Sequence, residues 1–249
     1  MKSLVDRISK DTRITVLTGA GVSAASGVPT FRGADGLWKN YRPEALATAE
    51  AFGRDPSLVW EWYAWRRFGI AACDPNDAHR VLADWSQRFP NFNLITQNVD
   101  GLHERAGTAN TIRLHGSIWE VSCWQGCQKS PRRWRDDSTS FKEMPPRCPY
   151  CGGLIRPGVV WFGETLETNV ISQAWNAARC DVFMTVGTSS LVYPAAGFVE
   201  QARKNGAFTV EINLEATPAT STVDLPLRGG AETILPELHR QIGLGPLTV

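Results

Sequence analysis

Hardly any charge of either sign is left over in this 249-residue chain. Its 26 Lys and Arg stand against 25 Asp and Glu, for a net charge of +1. Without a surplus there is no global field to hold a nucleic-acid backbone or an anionic lipid surface, so neither nucleic acid nor membrane is expected as a direct partner. No apolar run approaches the roughly 20 residues of a membrane helix. The start, Met1-Lys2-Ser3-Leu4-Val5-Asp6-Arg7, has an acid and lacks the apolar stretch of a signal or transit peptide. A cytoplasmic protein is therefore expected, and its six cysteines should be thiols or metal ligands, not disulfides. Internal repeats and low-complexity tracts are absent. What the chain has is 43% hydrophobic residues, enough for a real core in one domain, or in one domain with a small satellite.

Four apolar, β-branched runs recur, at 14–18, 93–96, 182–186 and 208–212, each ending in small or polar residues. This is the pattern of a parallel sheet whose strand C-termini carry a ligand site. Helices are predicted between them at about 44–52, 57–72, 76–88, 170–178 and 194–204, with Asp74-Pro75-Asn76-Asp77 as a helix stop followed by an N-cap. Directly after the first run comes Gly19-Ala20-Gly21, followed by Val22-Ser23-Ala24-Ala25-Ser26-Gly27. A strand, a glycine turn and a helix N-terminus together form a phosphate cradle of backbone N–H groups. The spacing departs from the usual G-x-G-x-x-G because the third glycine is late, and a glycine-rich turn alone is also just a turn.

Residues 123–151 break the pattern, being rich in Arg, Ser, Pro and Cys and almost free of aliphatic side chains. Within them stand Cys123-Trp-Gln-Gly-Cys127 and Cys148-Pro-Tyr-Cys151, two close pairs separated by 20 residues. That arrangement matches a Cys₄ zinc site, which a segment without a core needs as a staple. Four protein ligands leave no open position, so the zinc is expected to be structural. Cys73 and Cys180 have no partner at metal spacing and read as buried thiols.

Taken together, the motifs resemble the sirtuin family of NAD-dependent protein lysine deacylases. The resemblance runs from about Ile14 to Leu235. It is carried by Gly19-Ala20-Gly21-Val22-Ser23, Pro29-Thr30-Phe31-Arg32, Thr96-Gln97-Asn98-Val99-Asp100-Gly101-Leu102-His103, Leu114-His115-Gly116-Ser117, Val159-Val160-Trp161-Phe162-Gly163-Glu164, Gly187-Thr188-Ser189-Ser190 and Ile212-Asn213-Leu214-Glu215. It implies an α/β fold, a Rossmann-like parallel sheet domain with an inserted smaller domain of zinc ribbon and helices, and NAD in the cleft between them. The expected division is 1–33, 90–118 and 158–249 for the NAD-binding part, with a helical module at 34–89 and a zinc-binding module at 119–157. One departure is Gly158, where relatives often carry His.

In the reaction this resemblance implies, the acyl-lysine oxygen attacks the nicotinamide ribose, nicotinamide leaves, and a general base activates a ribose hydroxyl. The products are free lysine, nicotinamide and O-acyl-ADP-ribose. A neutral imidazole suits the base. Of four histidines, His79 and His103 fall in helical segments and read as packing or hydrogen-bonding residues, and His239 lies in a C-terminal helix. His115 follows a short strand (111–114) and matches the family's catalytic histidine, with Asn98 beside it. For NAD, the resemblance implies that Gly19, Ala20, Gly21 and Ser23 face the diphosphate. Phe31 forms a lid with Arg32 closing the loop, although without the resemblance Phe31 is an ordinary core residue. Gln97 and Asn98 orient the ribose, Asp100 takes the nicotinamide carboxamide, and Gly187, Thr188 and Ser189 meet phosphate and adenosine. Asn213, Leu214 and Glu215 end the last strand beside the adenosine ribose, and Ala231 meets the adenine.

The partner is expected to be an acylated lysine of a protein. It would enter as an extended peptide between β-prone segments at 159–164 (Val160, Phe162, Gly163) and 190–193. Tyr63 and Arg66 stand three apart, on one helix face. They resemble the Tyr-x-x-Arg of sirtuins that remove succinyl and malonyl groups, with Ala47 as the small residue that enlarges the acyl pocket. Arg offers a planar fork to a carboxylate and Tyr a hydroxyl; by residue type alone the two are a packed tyrosine and a solvated arginine. Two other readings of the cleft are mono-ADP-ribosyl transfer or NAD hydrolysis, and a non-enzymatic NAD-sensing or zinc-ribbon adaptor.

Overall fold

The computed structural model describes residues 1–31, 37 and 42–248. In chain order the elements are α1 (Lys2–Val5), β1 (Ile14–Thr18), a 3₁₀ helix (Ala20–Ser26), α2 (Pro43–Leu46), α3 (Ala49–Arg54), α4 (Pro56–Ala71), α5 (Asp77–Arg88) and β2 (Phe92–Thr96). Then follow α6 (Leu102–Arg105), β3 (Ile112–Arg113), β4 (Gly116–Cys123), β5 (Trp134–Arg135), β6 (Ile155–Val159), α7 (Thr168–Ala177), β7 (Val182–Val186), α8 (Gly197–Lys204), β8 (Phe208–Asn213), β9 (Leu225–Arg228) and α9 (Ala231–Ile242).

All five residues of β1 are buried, which is why it reads as an unbroken apolar, β-branched run. Ile14 and Val16 face a core shared with α5 and α9 (Val81, Leu82, Trp85, Leu235, Leu238), while Leu17 faces one shared with α7 and α8 (Ala174, Ala177, Phe198). The inward hydroxyl of Thr15 is satisfied by donating to the Ala177 carbonyl at 2.7 Å. The six-stranded sheet has the order β3-β2-β1-β7-β8-β9, and every pairing in it is parallel. The chain runs outward one way from β1 and then the other way from β7. The carboxyl ends of those two strands are thus the topological switch point where such sheets bind ligands.

The smaller layer is a three-stranded antiparallel sheet, β5-β4-β6, packed on α2, α3 and α4 around Phe52, Trp60, Trp62, Ile118, Val121, Ile155 and Trp161. α4 starts at Asp55, whose carboxylate accepts the Leu58 N–H at 3.0 Å, with Pro56 at the first helical position. Arg67 on α4 is fully buried and bridges the layers. Its Nε donates to the Ile118 carbonyl at 2.7 Å and its Nη1 to Asp136 at 2.9 Å and the Ser138 carbonyl at 3.1 Å. The Cys-rich segment therefore has more than a metal to hold it: Trp124, Trp134, Phe141 and Met144 lean on the same core.

Several expectations change. The helix of 44–52 is two helices, because Thr48 caps α3 by accepting the Ala51 N–H. α5 belongs with the large sheet, against which it packs Val81, Leu82 and Trp85. Of the segments expected to line the peptide, 159–164 is strand only at Val159, which ends β6, with an isolated bridge from Phe162 to Thr48, and 190–193 is not a strand. Glu164 folds back to accept the Trp161 N–H at 2.8 Å and Gly163 has φ +84, while Ser190 has φ +54. β8 is not the last strand, since β9 pairs beyond it. Cys180 is buried as expected, but Cys73 is only partly so.

Candidate active site

The glycine turn after β1 and the one after β7 press backbone against backbone. A Cβ on Gly19 would lie 2.8 Å from the Gly187 oxygen and the Thr188 Cα, and one on Gly21 would lie 2.8 Å from the Gly187 Cα. Gly187 itself has φ +60, and a Cβ there would sit 2.4 Å from the Val22 nitrogen. Two of the N–H groups expected to face an anion are committed to this contact, Gly19 to the Val186 carbonyl at 3.0 Å and Gly21 to that of Gly187 at 2.8 Å. These glycines serve close strand approach first, and together they make a floor of bare backbone at the ends of β1 and β7. The late glycine, Gly27, has φ +90 and ends the 3₁₀ helix.

On that floor stand the residues that follow β2. Asn98 donates through Nδ2 to the Gly19 carbonyl at 3.1 Å and to Ser23 Oγ at 3.2 Å. Ser23, expected at a diphosphate, gives its hydroxyl proton to Asp100 Oδ2 at 2.8 Å. Asp100 also accepts the Leu102 N–H at 2.9 Å, and burial pushes its carboxyl above the ordinary range against those two hydrogen bonds. Gln97 donates to Thr188 Oγ1 at 2.9 Å, and Asn213 Nδ2 reaches the Thr188 carbonyl at 3.5 Å, so the ends of β2, β7 and β8 are laced together. Farther along this edge, Leu214 and Glu215 are exposed and Ala231 opens α9 buried. Ser189 lies partly buried just past Thr188.

His115 follows β3. Its Nδ1 lies 3.0 Å from the Gln97 carbonyl, an acceptor only, so Nδ1 carries the proton and Nε2 is left as a base. Burial pushes the imidazole below its ordinary value, with the Gln97 bond opposing. The loop after β6 is stitched to both sides of the cleft: Val160 N–H donates to the His115 carbonyl at 2.9 Å and Phe162 N–H to that of Ala47 at 2.9 Å. Phe162 and Gly163 are exposed on it. Arg156 grips Glu164 at 2.5 Å and stacks 3.7 Å from the Trp161 ring.

Below that loop, Trp161 Nε1 donates to the Tyr63 hydroxyl at 3.0 Å, which leaves the phenolic hydrogen for another acceptor. Arg66 is 8% exposed, and among the described residues no carboxylate pairs with it. Its guanidinium lies 4.9 Å from the ring centres of Phe31 and Trp62 and 5.9 Å from that of Tyr63. Burial lowers its pKa. Asp100 attracts this buried cation without forming an ion pair with it, and aromatic faces are what it meets among the described residues. Arg32 lies outside the described residues.

The four cysteines converge at the far end of the small layer. Their sulfur atoms all lie within 4.8 Å of one another, Cys123 and Cys151 at 3.7 Å and Cys127 and Cys148 at 4.0 Å. A tetrahedron with Zn–S bonds of about 2.3 Å has S–S edges of about 3.8 Å, so the set fits one zinc ion with no position left open.

Reading the sequence alone missed Trp161, Arg156 and Glu164 as supports of the loop, and Glu211 as the buried acid that gathers Thr217, Thr220 and Arg228 beneath the 214–222 connection. A charged residue inside the apolar strand 208–212 was the available signal for Glu211. Gly158 also acquires a reason: a Cβ there would lie 2.7 Å from that of Glu120, across the irregular β4–β6 pairing.

The model of the Sir2 family matches residues 19–194. An NAD-dependent protein deacylase of Aquifex aeolicus is 51% identical over 227 residues, covering 91% of this chain and 93% of its own. A solved complex of a Sir2 homologue with NAD superposes with a TM-score of 0.87 at 43% identity, covering 98% of this chain and 94% of that one. A Sir2 protein holding a deacetylated p53 peptide and 3′-O-acetyl ADP-ribose gives a TM-score of 0.83 at 29% identity, covering 97% of this chain and 98% of that one.

Proposed function

Because this chain belongs to the Sir2 family, we propose that it is an NAD-dependent protein lysine deacylase acting on acetyl and on dicarboxylic acyl groups such as succinyl and malonyl. The chemistry is acyl transfer to ADP-ribose. A relative from Aquifex aeolicus is named an NAD-dependent protein deacylase, and solved neighbours hold NAD or a deacetylated peptide; these support the general reading. The observation that carries the dicarboxylic preference is Arg66, buried, cationic and without an anionic partner among the described residues, beside a Tyr63 hydroxyl with a proton to give.

NAD, when bound, supplies the ribose carbon that takes the acyl oxygen, together with the nicotinamide leaving group. The glycine floor of Gly19, Ala20, Gly21 and Gly187 admits the diphosphate. Asn98, Gln97 and Thr188 orient hydroxyls, and Asp100 presents a carboxyl to an amide. Asn213, Leu214, Glu215, Ser189 and Ala231 form the adenosine side, and Phe31 covers the cleft. His115 Nε2 takes a proton from a ribose hydroxyl, with the Gln97 carbonyl holding its tautomer. The acyl-lysine lies along Val160, Phe162 and Gly163, its acyl group passing Ala47 toward Tyr63 and Arg66. Zinc on Cys123, Cys127, Cys148 and Cys151 holds the small layer. The division into NAD-binding and smaller parts stands as part of this reading, with α5 reassigned to the large sheet. None of its helices among the described residues is long and apolar enough to cross a membrane, which is compatible with a cytoplasmic location.

Nicotinamide release is to be measured with NAD and acetyl-, succinyl- or malonyl-lysine peptides. Release that requires the acylated peptide, with succinyl or malonyl favoured, supports the reading. Equal release without peptide makes the protein an NAD hydrolase instead.

A further inference from the structure

We infer that His103 is a positioning residue for this reaction: through the hydroxyls of Thr18 and Thr96 it locks the carboxyl ends of β1 and β2 together and fixes the backbone of Asn98. The inference rests on the reading above for what Asn98 does. Thr18 and Thr96 are register partners at the last positions of their strands. Thr18 leads into the glycine turn and Thr96 into Gln97-Asn98. Thr18 Oγ1 donates to Thr96 Oγ1 at 2.8 Å, and Thr96 Oγ1 accepts the Asn98 backbone N–H at 3.0 Å. His103 Nε2 lies 3.0 Å from Thr18 Oγ1. The Asn98 side chain then returns to the Gly19 carbonyl, one residue after Thr18. The result is a closed ring of hydrogen bonds behind the cleft.

The ring has one direction. A hydroxyl has a single proton, and that of Thr18 is used on Thr96, so the bond from His103 must be Nε2–H donating to Thr18. Nδ1 is then bare, and among the described residues it has no partner although it is buried. An apolar side chain would avoid that orphaned acceptor. The imidazole is retained, on this view, for the one donor that stops the Thr18 hydroxyl from turning away from Thr96. Among the described residues its ring neighbour is His79, with centres 4.8 Å apart, and burial pushes both imidazoles down, His79 to about 4. Both are neutral at pH 7. α6 also ties the ring to the site from the other side, because its Leu102 N–H holds Asp100.

Protein labelled with ¹⁵N-histidine, read by NMR at pH 7, should show His103 as the neutral Nε2–H tautomer, and Thr18→Val should disturb that signal. A Nδ1–H tautomer or an imidazolium overturns the proposal. In kinetics, His103→Leu should lower kcat about tenfold with the KM for acyl peptide little changed. His103→Gln, which can present an N–H near the Nε2 position, should restore most of the rate. Thr18→Val should cost as much as His103→Leu, and the double variant no more than either, since members of one unit are not additive. A Gln variant as impaired as Leu, or losses that multiply in the double variant, refute the unit. The tautomer measurement needs no activity. A wild-type protein without NAD-dependent deacylation removes the functional reading while the hydrogen-bond ring is still decided by NMR.

Discussion

Arg66→Met separates a ligand-binding arginine from a packing one by moving two observables in opposite directions. In the free protein Arg66 is 8% exposed and meets aromatic faces but, among the described residues, no carboxylate. Burying an ion costs several kcal/mol even after relaxation, and each aromatic face offsets on the order of 0.5–2 kcal/mol. The site is therefore near balance or in deficit, and a Met of similar length should stabilise the fold by about 1 kcal/mol, or a Tm rise of about 2–4 °C at this size. With a succinyl group bound, Arg66 gains an anion at contact distance, which none of the described residues supplies. Truncating one partner of a desolvated charge pair costs about 2–5 kcal/mol, or about 30- to 4000-fold in kcat/KM at 1.4 kcal/mol per decade. Acetyl-lysine brings no carboxylate and should lose less than about threefold. The assay is nicotinamide release from paired succinyl- and acetyl-peptides, with a thermal melt of the same preparation. Equal losses on both peptides together with a lower Tm would mean that Arg66 holds the core and selects nothing.

His115→Ala should cut deacylation by about 10²–10⁴-fold with the fold intact by circular dichroism; near-wild-type turnover would remove it as the base. Since burial lowers the His115 pKa, the imidazole stays neutral from its ordinary value upward, and the acid limb of kcat should fall below pH 6.5. A limb above pH 7 would contradict that geometry. Cys148→Ser should release zinc, measured by elemental analysis, and open 123–151 to proteolysis; metal-free wild-type protein with full activity would refute the site. Buried neutral His79 and His103 have folded pKa values below their unfolded ones. Below about pH 6.5 the unfolded chain binds more protons, so stability is lost as pH falls, by about 2 kcal/mol at pH 5 for His79 and in the same direction for His103. A urea midpoint unchanged between pH 7 and pH 5 would refute this.

The strands 14–18 and 182–186 were legible to the residue because they lie at the centre of a parallel sheet, where both faces demand apolar side chains. β6 and β9 were not, since each contains a proline, Pro157 and Pro226, that reads as a turn; both are edge strands, where a missing N–H is tolerated. The cysteine set could be read from spacing because a metal fixes its ligands' separation. The support of Tyr63 could not, because the Trp161–Tyr63 bond joins residues 98 positions apart. The glycine turn was legible, but what crowds against it was not. Its spacing reports a turn that something must approach closely, and the structure shows that another turn, at Gly187, is part of that something.

The pairing of β1 with β7 also sets a schedule for synthesis. Arg13 and Asp181, which clasp at the feet of these strands, are 168 positions apart. Until β7 emerges, β1 can pair only with β2, and its other side is an open edge with bare N–H and C=O groups in a run of apolar residues. Such edges template association between chains, and parallel pairings of long separation form late. A ribosome-bound fragment ending before residue 182 should thus be prone to association through that edge. Fusions or truncations that delay the arrival of β7 should lower soluble yield even where the finished fold is unaffected.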